Sequence, residues 1–384
     1  MSYCSVKYLN DVFRNVLKVD ESQLSELYND IQEASCIIPC GAGRSKYSLL
    51  ISMSQMAKMK RNRKRIIGPE GPGFPAGNMY DAAPILEELY GNDGHILLLV
   101  NSGSGKTETP LSMVKELAKY IGEKESKFKI DLVTSMPDSP IGRIAKEYGR
   151  VIKIEGRTKE EAERTSDFGK TGIMADKFEL ASGLLFSGIT EALYYNYDIS
   201  RLYEAMETEL ELLGRYVGRT IKSEDYKRAI DILESRSDVW GGGRGTSSFV
   251  ISTLLIRLTH VKAPLGDRVY IAGGVNTLRP RAGDLGMFVS YSGETEQVIK
   301  WVKNMKRMDA CVMCVTSRED STLGKVSDMK IVIPEERKIG EPRRFYMRSV
   351  VVMSPQPVML CSRLKERGLP IKEEVLRWYH SITE

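Results

Sequence analysis

Short apolar runs alternate with longer stretches in which apolar positions recur at helical spacing. Residues 36–39, 65–67, 94–100, 129–133 and 150–154 read as strands in the first half of the chain. Residues 239–240, 269–272, 285–289, 310–315 and 330–333 read the same way in the second. Helical spacing predicts helices over 45–60, 109–121, 141–148 and 174–196, then over 249–261, 295–308 and 322–326. Residues 5–35 read as two helices, the second capped by Asp20-Glu21-Ser22. The stretch 68–84 is rich in Gly and Pro and reads as a long loop. Residues 348–368 read as mostly helical, broken at Pro355 and Pro357. Strands alternating with helices imply a parallel, doubly wound α/β sheet, with ligands at the carboxyl ends of its strands. The charged helical stretch 199–236 reads as a joint between two domains, 1–198 and 237–384.

The two halves repeat one another. Val100-Asn101-Ser102-Gly103-Ser104-Gly105-Lys106-Thr107 matches Val289-Ser290-Tyr291-Ser292-Gly293-Glu294-Thr295 as Ser-x-Ser-Gly-x-Thr after an apolar run. Gly41-Ala42-Gly43-Arg44-Ser45 matches Gly243-Arg244-Gly245-Thr246-Ser247, and Thr134-Ser135 matches Thr316-Ser317. Asp138-Ser139 and Asp320-Ser321 continue the series. The spacing between copies shrinks along the chain, as a duplication with loop deletions produces. Hydroxyls and backbone N–H groups gathered where a strand turns into a helix make an anion site. The expected ligand is a phosphate.

The charge balance agrees: 56 Lys and Arg against 51 Asp and Glu, a net +5. The basic run 58–65 is read as a solvated helix end, and no nucleic-acid partner is expected. No run of about 18 apolar residues exists, so no membrane span is expected. The first residues lack a signal-peptide apolar core, and a cytoplasmic location is the expectation. Cys311 and Cys314 have C-x-x-C spacing inside an apolar run, where residues three apart face opposite sides of a strand. Two core cysteines are the better reading. With three histidines and no ligand spacing, neither a metal site nor a cofactor is expected.

Two partial motifs mislead. Gly105-Lys106-Thr107 ends like a nucleotide-binding P-loop, but that pattern needs a glycine where Val100 stands, and the second copy carries Glu294 in place of the lysine. Gly41-Ala42-Gly43 opens a dinucleotide fingerprint whose third glycine is replaced by Lys46.

Taken together, G-x-G-x-S, S-x-S-G-[EK]-T and the Thr-Ser turn resemble the sugar isomerase (SIS) domain family, and they cover most of both halves. The second half looks most like 3-hexulose-6-phosphate isomerases. The resemblance implies two tandem SIS domains, each a five-stranded parallel, flavodoxin-like sheet flanked by helices, with a sugar phosphate as ligand. Ser102, Ser104 and Thr107 would hold a phosphate in the first half, and Ser290, Ser292 and Thr295 in the second. Ser45, Ser247, Ser135 and Ser317 would line the sugar. Lys106 departs from the family's glutamate, either as a phosphate contact or as a solvated helix start. Family members carry a histidine at the end of the helix after the glycine loop, where His260 falls; the first half has Lys58 at that register. They also carry a glutamate in a Phe-Glu pair, where Glu179 falls. No glutaminase domain like that of glucosamine-6-phosphate synthase is expected, since Ser2 stands where that enzyme would expose a cysteine.

Aldose–ketose or ketose–ketose isomerisation through an enediol needs a base and a group that opens the ring or polarises the carbonyl. Glu179, its pKa raised by an apolar helix environment, is the expected base, and His260 the expected acid. An internal pseudo-dimer would bring the two together, with a homodimer left open. A phosphosugar-binding regulator without catalysis, or an amino-sugar phosphate isomerase or deaminase, fits the same residues.

Overall fold

The computed structural model describes residues 3–157, 168–173, 175–274 and 277–369. Helices α1 (Lys7–Leu17) and α2 (Glu21–Glu33) lead into β1 (Cys36–Gly41), α3 (Gly43–Met56), α4 (Met79–Tyr90), β2 (Ile96–Asn101), α5 (Glu108–Glu123), β3 (Phe128–Thr134), α6 (Pro140–Tyr148) and β4 (Val151–Lys153). The short α7 (Phe168–Thr171) and long α8 (Asp176–Tyr195) close the first half. Helices α9 (Ile199–Thr220) and α10 (Glu224–Glu234) occupy the stretch read as a joint. The second half runs β5 (Val239–Gly243), α11 (Thr246–Lys262), β6 (Val269–Ile271), β7 (Leu285–Val289), α12 (Glu296–Lys306), β8 (Cys311–Thr316), α13 (Thr322–Val326), β9 (Met329–Val332), α14 (Phe345–Met353) and α15 (Pro355–Glu366).

Both sheets are parallel. The second has the order β6-β5-β7-β8-β9, the doubly wound pattern. The first has the order β1-β2-β3-β4, four strands where five were expected. Its missing edge strand survives as one parallel bridge, Ile37 to Ile66. The run that pairs there passes within a few residues to Gly68-Pro69 and Gly71-Pro72, and proline cannot donate to a ladder. The loop predicted for 68–84 also ends early. Asn78 caps α4 by accepting from the Asp81 N–H at 2.9 Å, and burial of Met79, Ala82, Ala83 and Leu86 carries the helix through Pro84.

Alternation along the strands sorts the core. Cys36, Ile38, Ile96, Leu98 and Val100 face one way, into a cluster under α4, α5 and α6. Ile37, Leu97, Leu99 and Val133 face the other way, into a cluster that runs without a break into the second half. Helices α3 and α11 pack against one another inside it, with Tyr47 beside Phe249 and the Ser54 and Thr246 hydroxyls 2.9 Å apart. Cys314 is buried and Cys311 half-buried on β8, and all six cysteines are free thiols.

Candidate functional site

Register sets the site. Gly41 lies opposite Asn101, and Gly243 opposite Val289, so each glycine loop and its serine loop leave adjacent strands at the same end. The two serine loops have the same internal wiring. The Ser102 hydroxyl accepts from the Gly105 N–H at 3.2 Å and lies 3.5 Å from Thr107 Oγ1, and Ser104 accepts from the Lys106 N–H at 3.3 Å. Ser290 accepts from Gly293 at 3.2 Å and lies 3.0 Å from Thr295 Oγ1, and Ser292 accepts from Glu294 at 3.2 Å. Gly105 and Gly293 have φ of 57° and 68°. A Cβ on either would fall 1.9 Å from Ser139 Oγ or 2.3 Å from Ser321 Oγ. The Asp-Ser repeat thus explains the glycine: each serine caps the next helix and leaves room for hydrogen alone.

Helix starts divide into two kinds. Those of α6 and α13 are capped by Ser139 and Ser321. Those of α3, α5, α11 and α12, which begin on the glycine and serine loops, carry no side-chain cap. The first N–H groups of α3, α5 and α12 remain available to an anion, whereas at the start of α11 the Ser247 and Ser248 N–H groups donate to the Arg244 and Gly245 carbonyls.

In the first half these starts open on a cleft of about 720 Å³, counted out to its mouth, lined by Ser45, Ser102, Ser104, Lys106 and Thr107. Glu179 of α8 and His260 of α11 line the same cleft. The two residues expected to meet therefore do so, one from each half. His260 Nδ1 lies 2.8 Å from the Ile256 carbonyl, which fixes the neutral tautomer with the proton on Nδ1 and the lone pair on Nε2.

The surroundings of Glu179 differ from the apolar ones expected. Arg44 Nη1 lies 3.0 Å and Arg257 Nη2 2.8 Å from Glu179 Oε2. Both arginines also pair with Asp176 Oδ1, Arg257 Nε at 3.0 Å. Burial alone would push the Asp176 carboxyl up, but Arg257 and Arg44, with the Ile173 N–H, hold it below its ordinary value. All four side chains are almost fully buried, and the ring balances two positive charges against two negative. Both guanidiniums hold Oε2; among the described residues Glu179 Oε1 takes no hydrogen bond. Arg44 Nε and Arg257 Nη1 are buried donors without a partner among those residues.

A family model, that of the SIS domain, matches residues 269–356. That stretch of the second half is thus similar to a SIS domain. The chain is 33% identical over 100 residues to the 3-hexulose-6-phosphate isomerase of Mycobacterium gastri, an alignment covering 26% of this chain and 48% of that protein. Its fold resembles the tagatose-6-phosphate ketose/aldose isomerase of Escherichia coli, with TM-score 0.58 and 10% identity over 95% of each chain. It also resembles the C-terminal domain of the glucosamine-fructose-6-phosphate aminotransferase of Francisella tularensis, with TM-score 0.56 and 10% identity over 93% of this chain and 97% of that one. The chain spans less than two thirds of the first three curated relatives it matches, 62%, 62% and 64% of their lengths.

Not every serine of the SIS pattern reaches the cleft with its hydroxyl. Ser135 donates to the Ile154 carbonyl and Ser317 to the Tyr291 carbonyl, each at 2.7 Å, so both brace backbone rather than line sugar. Ser247 is buried at the start of α11 in the second half. Asn101, Arg157 and Arg257 line the first cleft beyond the residues read from sequence. Arg257 lies one turn before His260 on α11, an arginine among apolar helical positions, and that was its signal. Among the described residues no His, Cys, Asp or Glu group is gathered as metal ligands, and no helix is long and apolar enough to cross a membrane.

The Lys106–Glu294 difference has a structural partner. Glu294 Oε1 accepts from the Thr322 N–H at 2.9 Å, steadying the start of α13. The position matching Thr322 is Pro140, which has no N–H to offer. With that task gone, the first SIS loop carries a lysine, and Lys106 lines the cleft.

Proposed function

We propose that the first-half cleft isomerises a sugar phosphate. The observation that carries this reading is the convergence, in one cleft, of an uncapped serine loop, a carboxylate with one oxygen left over and a histidine of fixed tautomer. The phosphate sits on Ser102, Ser104, Thr107 and the start of α5, with Lys106 adding a charge-assisted contact. Glu179 Oε1 takes the proton from the carbon beside the carbonyl, forming an enediol, and returns it to the neighbouring carbon. His260, as the imidazolium that keeps its Nδ1 proton on the Ile256 carbonyl, donates from Nε2 to the ring or carbonyl oxygen and recovers the proton as the new carbonyl forms. The Arg257 Nη1 donor supplies positive potential where the enediol oxygen gains charge. The names of the hexulose- and tagatose-phosphate isomerases above support this substrate class.

One observation favours a different reading: two guanidiniums already hold Glu179, as a purely structural carboxylate would be held. A phosphosugar-binding protein without turnover keeps every other contact. Incubation with a panel of sugar phosphates in heavy water separates the two. Deuterium entering the sugar in the wild type and not in Glu179→Gln establishes the isomerase. Thermal stabilisation by a sugar phosphate with no deuterium incorporated overturns it.

A further inference from the structure

The two halves differ in how their outer sheet faces are covered. In the first half α4 follows the bridge at Ile66 and precedes β2, and its inner side, Met79, Ala82, Ala83 and Leu86, is buried in the cluster on the sheet. The matching connection in the second half runs from β6 to β7, and no described residue between Ala272 and Asp284 is helical. The face it crosses is left with a groove of about 1000 Å³, counted out to its mouth. Trp240, Phe288 and Trp301 line it. Trp240 stacks on Tyr270 with ring centres 4.9 Å apart, and the Phe288 and Trp301 rings lie 6.5 Å apart. The Trp240 Nε1–H donates to the Leu278 carbonyl at 3.1 Å, which ties the loop to the rim without closing the groove. A groove of this size, built on aromatic side chains, suits the apolar face of an amphipathic helix.

Six large hydrophobic side chains are exposed among the described residues, and five of them belong to two surfaces. Leu278 and Met308 line the groove, and Ile271 ends the edge strand β6 next to Ala272 of its lining. Ile85 and Leu89 stand on the outer side of α4. That outer side is one stripe: Asp81, Pro84, Ile85, Glu88 and Leu89 share a helical face and are all exposed. The charges of the two surfaces are complementary. The groove lining holds Arg279 and Arg307 and no carboxylate. Arg307 donates to Asn304 Oδ1 at 3.3 Å, and among the described residues no carboxylate pairs with either arginine. The stripe on α4 holds two carboxylates and no cation. Acids flanking an apolar ridge on one half thus match guanidiniums flanking an apolar groove on the other. Within one chain α4 is held on the first sheet by its buried inner side, so the stripe is offered to another molecule.

We propose that the chain associates with further copies of itself by laying the outer stripe of α4 into the Trp240–Trp301 groove of the next copy. The contact joins unlike surfaces, so assembly either closes into a ring or extends. It is independent of any reading of the first cleft. Sedimentation velocity of the full chain, over a dilution series reaching millimolar concentration, tests it. The mass of the wild type is expected to rise with concentration. Leu89→Glu and Leu278→Glu, at positions 58% and 53% exposed, should each be monomeric with an unchanged Tm. Mixed in equal amounts, the two variants should form a heterodimer and nothing larger, since one keeps the groove and the other keeps the stripe. A wild type that stays monomeric at every concentration overturns the inference and leaves the groove to some other molecule. An assembly that either variant leaves intact overturns it as well, because another face then holds the copies together. So does a mixture in which both variants remain monomeric.

Discussion

Arg257 and Glu179 meet at 2.8 Å although one belongs to the second half and the other to the first. Their pair is buried and belongs to a neutral ring of four charges, so removing one member leaves an uncompensated charge in low dielectric. Arg257→Ala is expected to lower unfolding stability by about 3 to 5 kcal/mol, measured in urea. Arg257→Lys keeps the charge but not both contacts and falls between. A loss below about 1 kcal/mol would mean that water reaches the ring in solution.

Lys106 and Pro140 form a coupled substitution. Lys106→Glu should raise KM for the phosphosugar about tenfold with little change in kcat, because the lost contact is made equally to substrate and transition state. Adding Pro140→Thr gives the new carboxylate an N–H to hold, as Glu294 holds Thr322. The double variant should therefore recover part of the loss. Strict additivity of the two changes in KM would count against this coupling.

Gly103 sets the position of the proposed base indirectly. A Cβ there would fall 2.7 Å from the Phe178 ring, and Glu179 is the next residue. Gly103→Ala should lower kcat tenfold or more by displacing α8, and Phe178→Leu in the same chain should restore part of it. If kcat is unchanged, the ring has moved and Glu179 has not.

Asp131 makes stability depend on pH. Burial, reinforced by the nearby Asp30 charge, pushes its carboxyl up to about 8. The folded protein then holds a proton that the unfolded chain has released above about 4, the ordinary carboxylate range. Stability from this group is full below that range and is lost as pH rises towards 8. Asp131→Asn should raise the Tm relative to wild type at pH 9 and not at pH 4. Equal Tm differences at both values would contradict it.

Much of this was legible in the chain because duplication writes each motif twice. The second copy identified the shared hydroxyls and dismissed Lys106 as a P-loop lysine. That Glu179 and His260 share a cleft was expected from the family resemblance, which sets such sites between two domains, and not from the repeat, where Glu179 has no obvious counterpart. The ion ring was not legible, because Arg44, Asp176 and Arg257 come together only through the packing of α3, α8 and α11. Nor was the loss of the fifth strand, since Arg65-Ile66-Ile67 is apolar and extended enough to pair and is cut short only by the prolines beyond it. Ser135 and Ser317 repeat faithfully for a backbone reason, which a repeat cannot tell from a ligand reason.

Helix α11 belongs to the second half yet reaches the first-half cleft with Arg257 and His260, while Arg44 and Ser45 enter it from the start of α3. Just past the far end of α3, Lys58 meets Thr246 at the start of α11. In an assembly of two identical chains, any mutation on such a helix alters both clefts at once. Joining the copies in one polypeptide removes that constraint. Histidine can then arise at one crossing and lysine at the other, and a single gene can keep one cleft under selection while the other drifts towards a different task.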